Sequence, residues 1–126
     1  MPSASTATPP ADVAGLQGAW ELDEANVHVG TIVWAGDATP HGNSIELNLH
    51  KQSVGGRRAV PCERQTGLHA TFALGVAAQT VPFREVNCAG VVSTGDVHVT
   101  SFNGRSFSGS FSQGGANLGT FTARKI

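Results

Sequence analysis

Hydrophobic and polar residues alternate in short runs along most of this chain. Residues 68–76 alternate Leu, Ala, Phe, Leu and Val with small or polar side chains, and residues 45–50 alternate Ile, Leu and Leu with Glu, Asn and His. A period of two is typical of a strand that buries one face. No window keeps the spacing of an amphipathic helix over three turns. We therefore predict an all-β fold, a single antiparallel β-sandwich or small β-barrel of about eight short strands.

The segment around Asn103-Gly104 predicts a β-hairpin, because this dipeptide favours tight turns. A three-residue loop over 102–104, with its glycine in the left-handed position of a bulge, would place Val99 opposite Phe107. Val97 then lies on the same face as these two residues. Period-two logic favours this loop, since a two-residue loop would separate the valines from the phenylalanines.

Gly114-Gly115 predicts the next turn, which makes the C-terminal segment a three-stranded meander. With this turn, Phe111 pairs with Leu118. Phe121 then falls on the wrong face unless Gly119 forms a bulge, a frequent role of glycine within a strand.

Other apolar segments predict the remaining strands. Trp20 and Leu22 form a short first strand, and residues 27–34, apolar on both parities, form a central strand or carry a bulge. Residues 81–83 begin a strand whose proline favours an edge position. Residues 91–92 begin or end another.

Composition indicates one domain and excludes two classes of partner. The chain has 126 residues, 13% of them charged, and a net charge of −1. Lys51 and Lys125 are the only lysines, so no basic stripe is available to bind nucleic acid. No apolar run approaches the roughly 20 residues of a membrane span. No cofactor motif is present.

The first fourteen residues differ in composition from the rest. Residues 1–14 are rich in Ser, Thr, Ala and Pro and lack the basic and apolar regions of a signal peptide. They predict a disordered, flexible tether before a single all-β domain over 15–126. Such tethers often follow a cleaved signal or a lipidated cysteine in exported proteins; a ragged cytosolic terminus is the alternative.

Cys62 and Cys88 are the only cysteines, and neither belongs to a metal-binding spacing. A disulfide is the simplest pairing, and it indicates an oxidising, extracytoplasmic compartment. It would tie a loop or a neighbouring strand to the hairpin around residues 68–88, with Cys88 opposite His69 across that hairpin. Two buried free thiols are the alternative.

Four histidines sit beside large apolar residues in predicted strands: His28, His50, His69 and His98. Alternation places them on the solvent face. If their strands were adjacent, two or three could bind a transition metal. Independent solvent-facing positions are the alternative.

A binding surface is expected around Trp34 and the polar segment 35–44. An exposed tryptophan beside Asp37, His41 and Asn43 would suit stacking on a sugar ring and hydrogen bonding to its hydroxyls. Alternatively, both tryptophans belong to the core.

Catalytic signatures are absent, so we expect no enzyme. The chain lacks G-x-S-x-G, S-x-x-K and H-E-x-x-H. Glu21, Asp23 and Glu24 are read as a solvated turn at the end of a strand, or else a Ca²⁺ site. Glu46 and Glu85 are candidates for a pair of glycosidase carboxylates, which nothing in the sequence brings together.

Two segments resemble known families. The G-x-W of Gly18 and Trp20 resembles the first strand of lipocalin and avidin-like barrels, which implies a barrel with an internal pocket. Residues 95–121, with G-x-F at 109–111 and 119–121, are similar to the closing strands of small bacterial lipoprotein β-domains, which implies export.

These features together predict a non-enzymatic extracytoplasmic β-domain, secreted, periplasmic or tethered to an outer membrane. It would bind a protein or glycan partner through its loops. The alternatives are a barrel that binds a small apolar ligand in an internal pocket of roughly 300 Å³ or more, and a histidine-based metal protein.

Overall fold

The computed structural model describes residues 16–76, 78–103 and 105–126. The proposed tether, residues 1–14, and the glycine expected in the left-handed turn position, Gly104, lie outside the described residues. The elements within them are β1 (Gly18–Asn26), β2 (Gly30–His41), β3 (Ser44–Val54), β4 (Arg57–Arg58), α1 (Pro61–Arg64), β5 (Gly67–Ala73), β6 (Gln79–Val86), β7 (Val92–Phe102), β8 (Ser106–Gln113) and β9 (Ala116–Lys125).

Eight of these strands form a closed antiparallel barrel. The order around the wall is β2-β1-β9-β8-β7-β6-β5-β3, and pairing of β2 with β3 closes it. The two-residue β4 pairs with the end of β3 and lies outside the ring. The all-β prediction is confirmed, and of the two predicted architectures the barrel is the correct one. Closure gives each of the eight ring strands a pairing partner on both sides.

The alternating apolar residues fill the barrel. In β3, Ile45, Leu47 and Leu49 are buried as predicted, and the polar residues between them face outward. Aromatic rings occupy the centre; Phe107 stacks on Phe72 with ring centroids 4.8 Å apart. The largest fully buried side chains are Trp20, Trp34, Phe72, Phe107, Ile45, Leu47, Leu49 and Val97.

The two ends of the barrel differ. One end is formed by the turns at 27–29, 87–91 and 114–115 and by the connection 55–66, which contains β4 and α1. We call it the disulfide end. At the opposite end, Leu16 is buried and its carbonyl oxygen accepts a 2.7 Å hydrogen bond from the indole N–H of Trp20. Both residues belong to the buried apolar core.

Inward-facing glycines allow the strands to cross closely. A Cβ atom at Gly109 would collide with the carbonyl oxygen of His98, and one at Gly119 would collide with that of Ala25. Gly119 also has φ +141°, which L side chains rarely adopt. These positions permit the bending that a small barrel requires.

The predicted register of the β7–β8 hairpin is wrong by two residues. Val99 lies opposite Gly109, not Phe107, and Phe102 belongs to the strand, opposite Phe107. The rings of these two phenylalanines stack with their centroids 4.4 Å apart. Strand pairing therefore includes Phe102, which was expected to lie in the loop. A bulge follows Val99. Because a two-residue shift preserves parity, the predicted buried face is confirmed.

The β8–β9 turn at Gly114-Gly115 is confirmed. Phe111 lies opposite Gly119 rather than Leu118, because Leu118 is the extra residue of the bulge. This bulge restores Phe121 to the interior, where it is buried.

Residues 27–34 are not one strand. Residues 27–29 form the turn between β1 and β2, with Val27 and Val29 exposed, and a bulge between Val33 and Trp34 marks the pairing with β3.

Two further expectations fail. Val76 is exposed rather than inward, and residues 21–24 lie within β1 rather than in a turn.

The β5–β6 pairing ends beside Pro82. It stops at Ala70 opposite Phe83, and continuing the register would place Pro82, which lacks an N–H, opposite Thr71. β6 pairs on both sides, so it is not the edge that the proline indicated. Beyond the ladder, the side chain of Gln79 spans the gap: its Oε1 accepts from the backbone N–H of Ala73 and its Nε2 donates to that residue's carbonyl, both at 2.9 Å.

Cys62 and Cys88 form a disulfide, with Cα atoms 5.4 Å apart. It joins α1 to the β6–β7 turn, so a loop is tied to the hairpin as predicted. Cys88 does not lie opposite His69, however, because Arg84 takes that position in the ladder.

Candidate functional site

Exposed apolar side chains concentrate at the disulfide end. Of the seven large hydrophobic residues exposed in the described chain, four lie on the loops at this end and a fifth begins the adjoining strand β7. Their exposed fractions range from 48% to 58%. They are Val27, Val29, Val60, Val91 and Val92, which we call the valine rim. Scattered surface valines are ordinary, but a cluster on neighbouring loops indicates a contact surface.

Side-chain amides shape two of these loops. Asn26 Oδ1 accepts hydrogen bonds from the backbone N–H groups of His28 (2.8 Å) and Val29 (3.2 Å). Asn87 Oδ1 does the same for Ala89 (2.9 Å) and Val91 (3.0 Å). Such turns present the valines outward on a fixed backbone.

The segment before α1 is also held in place. Glu63 accepts two hydrogen bonds from the Arg57 guanidinium, at 2.7 and 2.8 Å, and one from the backbone N–H of Val60 at 3.0 Å. These donors lower the pKa of Glu63 to about 2. Together with the disulfide they fix Val60 and α1 at the rim.

Three charged side chains face into the barrel beneath this rim: Glu24, Lys51 and Glu85, which we call the inner charges. Each lies opposite a buried residue on a neighbouring strand, namely Ile32, Trp34 and Leu68 respectively. Residues paired across strands share a face of the sheet. Ionisable groups are rarely placed toward a barrel interior unless they have a role.

Glu24 is held rigidly and is only 6% exposed. Its Oε1 accepts from the indole N–H of Trp34 at 3.1 Å, and its Oε2 accepts from Asn26 Nδ2 at 2.8 Å. Both donors are neutral, so the carboxylate is hydrogen-bonded but its charge is not balanced by contact.

Lys51 and Glu85 complete the group without forming contact ion pairs. Lys51 Nζ lies 5.2 Å from the centre of the Trp34 ring, a cation–π distance. Among the ion pairs of the described chain, within 4.0 Å, none contains Lys51 or Glu85. Burial raises the pKa of Glu85; the charge of Lys51 opposes this rise and that of Glu24 adds to it.

A sequence signal for these residues exists. Each inner charge extends an apolar alternation by one more step: Glu24 follows Trp20 and Leu22, Lys51 follows residues 45–49, and Glu85 follows residues 81–83. A charge in phase with the buried face marks the end of a strand at which the interior becomes polar.

The predicted sugar-binding group is not assembled. Trp34 is 1% exposed in the core, as the alternative held, and cannot stack on a ligand from outside. Segment 35–44 is strand rather than loop up to His41, with Asp37 on the outer wall. Asn43 lies in the turn at the opposite end, and His41 contacts Glu46 at 3.2 Å.

The four predicted metal-binding histidines are not gathered into one site, although His50 and His69 lie near each other on the paired strands β3 and β5, where Gly67 is opposite His50 and Asn48 is opposite His69. His28 lies in the β1–β2 turn and His50 on β3. His69 Nδ1 lies 2.5 Å from Asn48 Oδ1, and His98 Nε2 lies 2.8 Å from Ser112 Oγ. In the part of the chain that is described, no three His, Cys, Asp or Glu side chains are grouped closely enough to hold a metal ion.

The interior has little free volume, and the larger concavities lie outside. An internal void of about 10 Å³ is lined by apolar side chains. A groove of about 560 Å³ crosses the outer wall over β1, β9 and β8. The polar residues that line it are Asp23, Glu24, Thr31, Thr100, Ser108, Ser110, Thr120 and Thr122. Within residues 16–76, 78–103 and 105–126, no helix has the length and apolarity needed to cross a bilayer.

Comparison with known proteins supports the barrel. No protein-family model and no curated protein matches the chain. A fluorescence-activating β-barrel made by de novo design is similar in structure, with TM-score 0.58 and 15% identity over 92% of this chain and 99% of that one. A redesigned β-barrel has TM-score 0.58 and 11% identity, over 96% and 99%. At such identities the likeness concerns the fold alone: the chain is a closed, antiparallel β-barrel.

Proposed function

We propose that this chain is a non-enzymatic, extracytoplasmic binding domain that docks a protein partner on the loops of its disulfide end. The observation that carries the proposal is the valine rim, which places four exposed valines on the loops of one barrel end and a fifth, Val92, at the start of β7. Burying them on a partner removes apolar surface from water, the main favourable term in association.

The rigidity of these loops supports the proposal. Asparagine side chains close two turns, the Arg57–Glu63 pair holds a third, and a disulfide joins α1 to the β6–β7 turn. Preorganised loops lose less conformational entropy when they bind. A disulfide also favours a compartment outside the reducing cytosol.

An internal apolar ligand, the alternative raised by the lipocalin-like G-x-W, finds less support. The described interior holds a void of about 10 Å³, whereas small-molecule pockets run to roughly 300 Å³ or more. A glycan remains a second candidate for a different surface, because the wall groove of about 560 Å³ offers hydroxyls and the Asp23 carboxylate.

The test is position-specific photo-crosslinking in the organism that encodes the chain. A photoreactive phenylalanine replaces Val60 or Val91 at the rim, or Thr39 on the outer wall as the matched control. We expect one discrete protein adduct from both rim positions and none from Thr39. Equal adducts from all three positions, or none from the rim, would contradict docking at this end; labelling of glycan from wall positions would favour the groove.

A further inference from the structure

The inner charges indicate what the partner presents. On the basis of the proposed docking at the disulfide end, we infer that the partner places a basic side chain, a lysine or an arginine, against the carboxylates of Glu85 and Glu24. The valine rim would close around this contact. The inference names the chemistry of the central contact, which the rim alone leaves open.

The inward-facing charges alone favour a cation. Two carboxylates and one ammonium face the interior at this end and sum to a formal charge of −1, whereas Arg57, Arg58, Glu63 and Arg64 lie outside them on the 55–66 connection and sum to +2. Lys51 lies over the Trp34 ring and makes no ion pair within 4.0 Å in the described chain. The carboxylates therefore have no cation in contact, and a basic group would supply one.

The two carboxylates differ in freedom. Glu24 is fixed by hydrogen bonds from Trp34 and Asn26, so it provides a stationary negative charge. Glu85 is only partly buried and stands on the last inward position of β6, where a partner can reach it. Burial raises the pKa of Glu85 because its carboxylate loses water and gains no contacting cation.

The surrounding valines would strengthen such a contact. When apolar residues around a central polar contact exclude water, the contact becomes the main source of affinity. Charge-assisted hydrogen bonds are stronger than neutral ones, and they strengthen further where water is excluded. An apolar rim around recessed carboxylates fits this arrangement with a basic side chain.

Substituting Lys51 tests the sign of the charge that the partner presents. A cation at Glu85 is repelled by the Lys51 ammonium, so removing that ammonium strengthens binding. An acidic partner would show the reverse, since it would seek Lys51 and avoid both carboxylates. Structural damage would weaken binding by both Glu85→Gln and Lys51→Met. The inferred contact instead predicts that the first substitution weakens binding and the second strengthens it.

The experiment selects peptides from a phage-displayed library of random twelve-residue sequences on the full chain. Sequences that also bind a Val60→Ser, Val91→Ser double variant are discarded. Affinities of the selected synthetic peptides are then measured by calorimetry for the native chain and for Glu85→Gln and Lys51→Met. The matched control is Glu46→Gln, which removes an outward-facing carboxylate on β3.

We expect selected peptides to carry a lysine or arginine among apolar residues. Glu85→Gln should weaken binding roughly ten- to hundredfold, the effect of losing one charge-assisted hydrogen bond. Lys51→Met should tighten it about two- to threefold. The control should change it less than about twofold.

Two results would distinguish a failure of this inference from a failure of the proposed function. Peptides that require the rim valines but lack basic residues, and that bind Glu85→Gln as well as the native chain, would overturn this inference and leave docking at the disulfide end intact. If every peptide enriched on the native chain also binds the double valine variant, so that none is left after the discard step, the proposed function itself would be overturned.

Discussion

The side chain of Gln79 replaces backbone hydrogen bonds between β5 and β6 where their pairing has ended. The loss of stability on removing it can be estimated. Its Oε1 accepts from the Ala73 N–H, and its Nε2 donates to the carbonyls of Ala73 (2.9 Å) and Val76 (3.3 Å). Each such bond stabilises a protein by roughly 0.5–1.5 kcal/mol. Because Ala73 and Val76 are exposed, water replaces part of what is lost. We expect Gln79→Ala to reduce the free energy of unfolding by about 1–2 kcal/mol.

A second substitution tests the mechanism. Gln79→Glu keeps the acceptor for the Ala73 N–H but, when ionised, aims a carboxylate at two carbonyl oxygens. Protonation restores one donor, so the folded-state pKa of the introduced carboxyl lies above its unfolded value. Its contribution to stability is then present below about pH 4 and is lost as pH rises through the folded pKa.

Urea denaturation at pH 7 and pH 4 measures both effects. Gln52→Ala is the matched control, since Gln52 is exposed and its side chain makes a single bond, to the His50 carbonyl; it should change stability by less than about 0.5 kcal/mol. A Gln79→Ala variant as stable as the native chain would refute the reasoning. So would a Gln79→Glu variant that gains nothing over Gln79→Ala at the lower pH.

Three further outcomes follow from the structure. Gly109→Ala should destabilise the barrel by more than about 2 kcal/mol, measured by thermal unfolding, because the added Cβ meets a carbonyl of β7; a wild-type midpoint would contradict this. Replacing Cys62 and Cys88 by serine opens a link between residues 26 apart, which is worth up to about 3.5 kcal/mol by chain entropy; hydrogen exchange should quicken first in α1, and uniform protection would argue against a local brace. Since the pKa of Glu85 is raised, chiefly by burial, its contribution to stability is present below its unfolded pKa and is lost as pH rises through the folded one. Native stability should therefore fall over that window relative to Glu85→Gln in paired unfolding curves, and parallel curves would exclude the effect.

The sequence predicts which face of a strand is buried better than it predicts which strands pair with each other. Alternation identifies the buried residues of β3 and of the C-terminal meander, and this holds even where the register is off by two, because parity is unchanged. Closure of β2 on β3 is not predictable in this way, since pairing between strands is set by packing of the whole barrel.

The candidate site shows the same limit. Segment 35–44 resembles a loop because of its glycines and proline, yet Gly36 serves close strand packing: a Cβ there would collide with the carbonyl oxygen of Asn48. The inner charges were in phase with buried residues, but only the closed barrel brings Glu24, Lys51 and Glu85 to one mouth. The valine rim depends likewise on loops that are distant in sequence.

The most direct test of the central claim is a map of amide chemical shifts. The ¹⁵N-labelled full chain is titrated with a peptide selected by the library experiment, and shifts are followed residue by residue. Docking at the disulfide end predicts changes at 27–29, 55–66 and 87–91, at Val92, and at Glu24 and Glu85. The β2–β3 turn residues 42–43 should be unaffected. Changes confined to the outer wall groove or to the opposite end would contradict it.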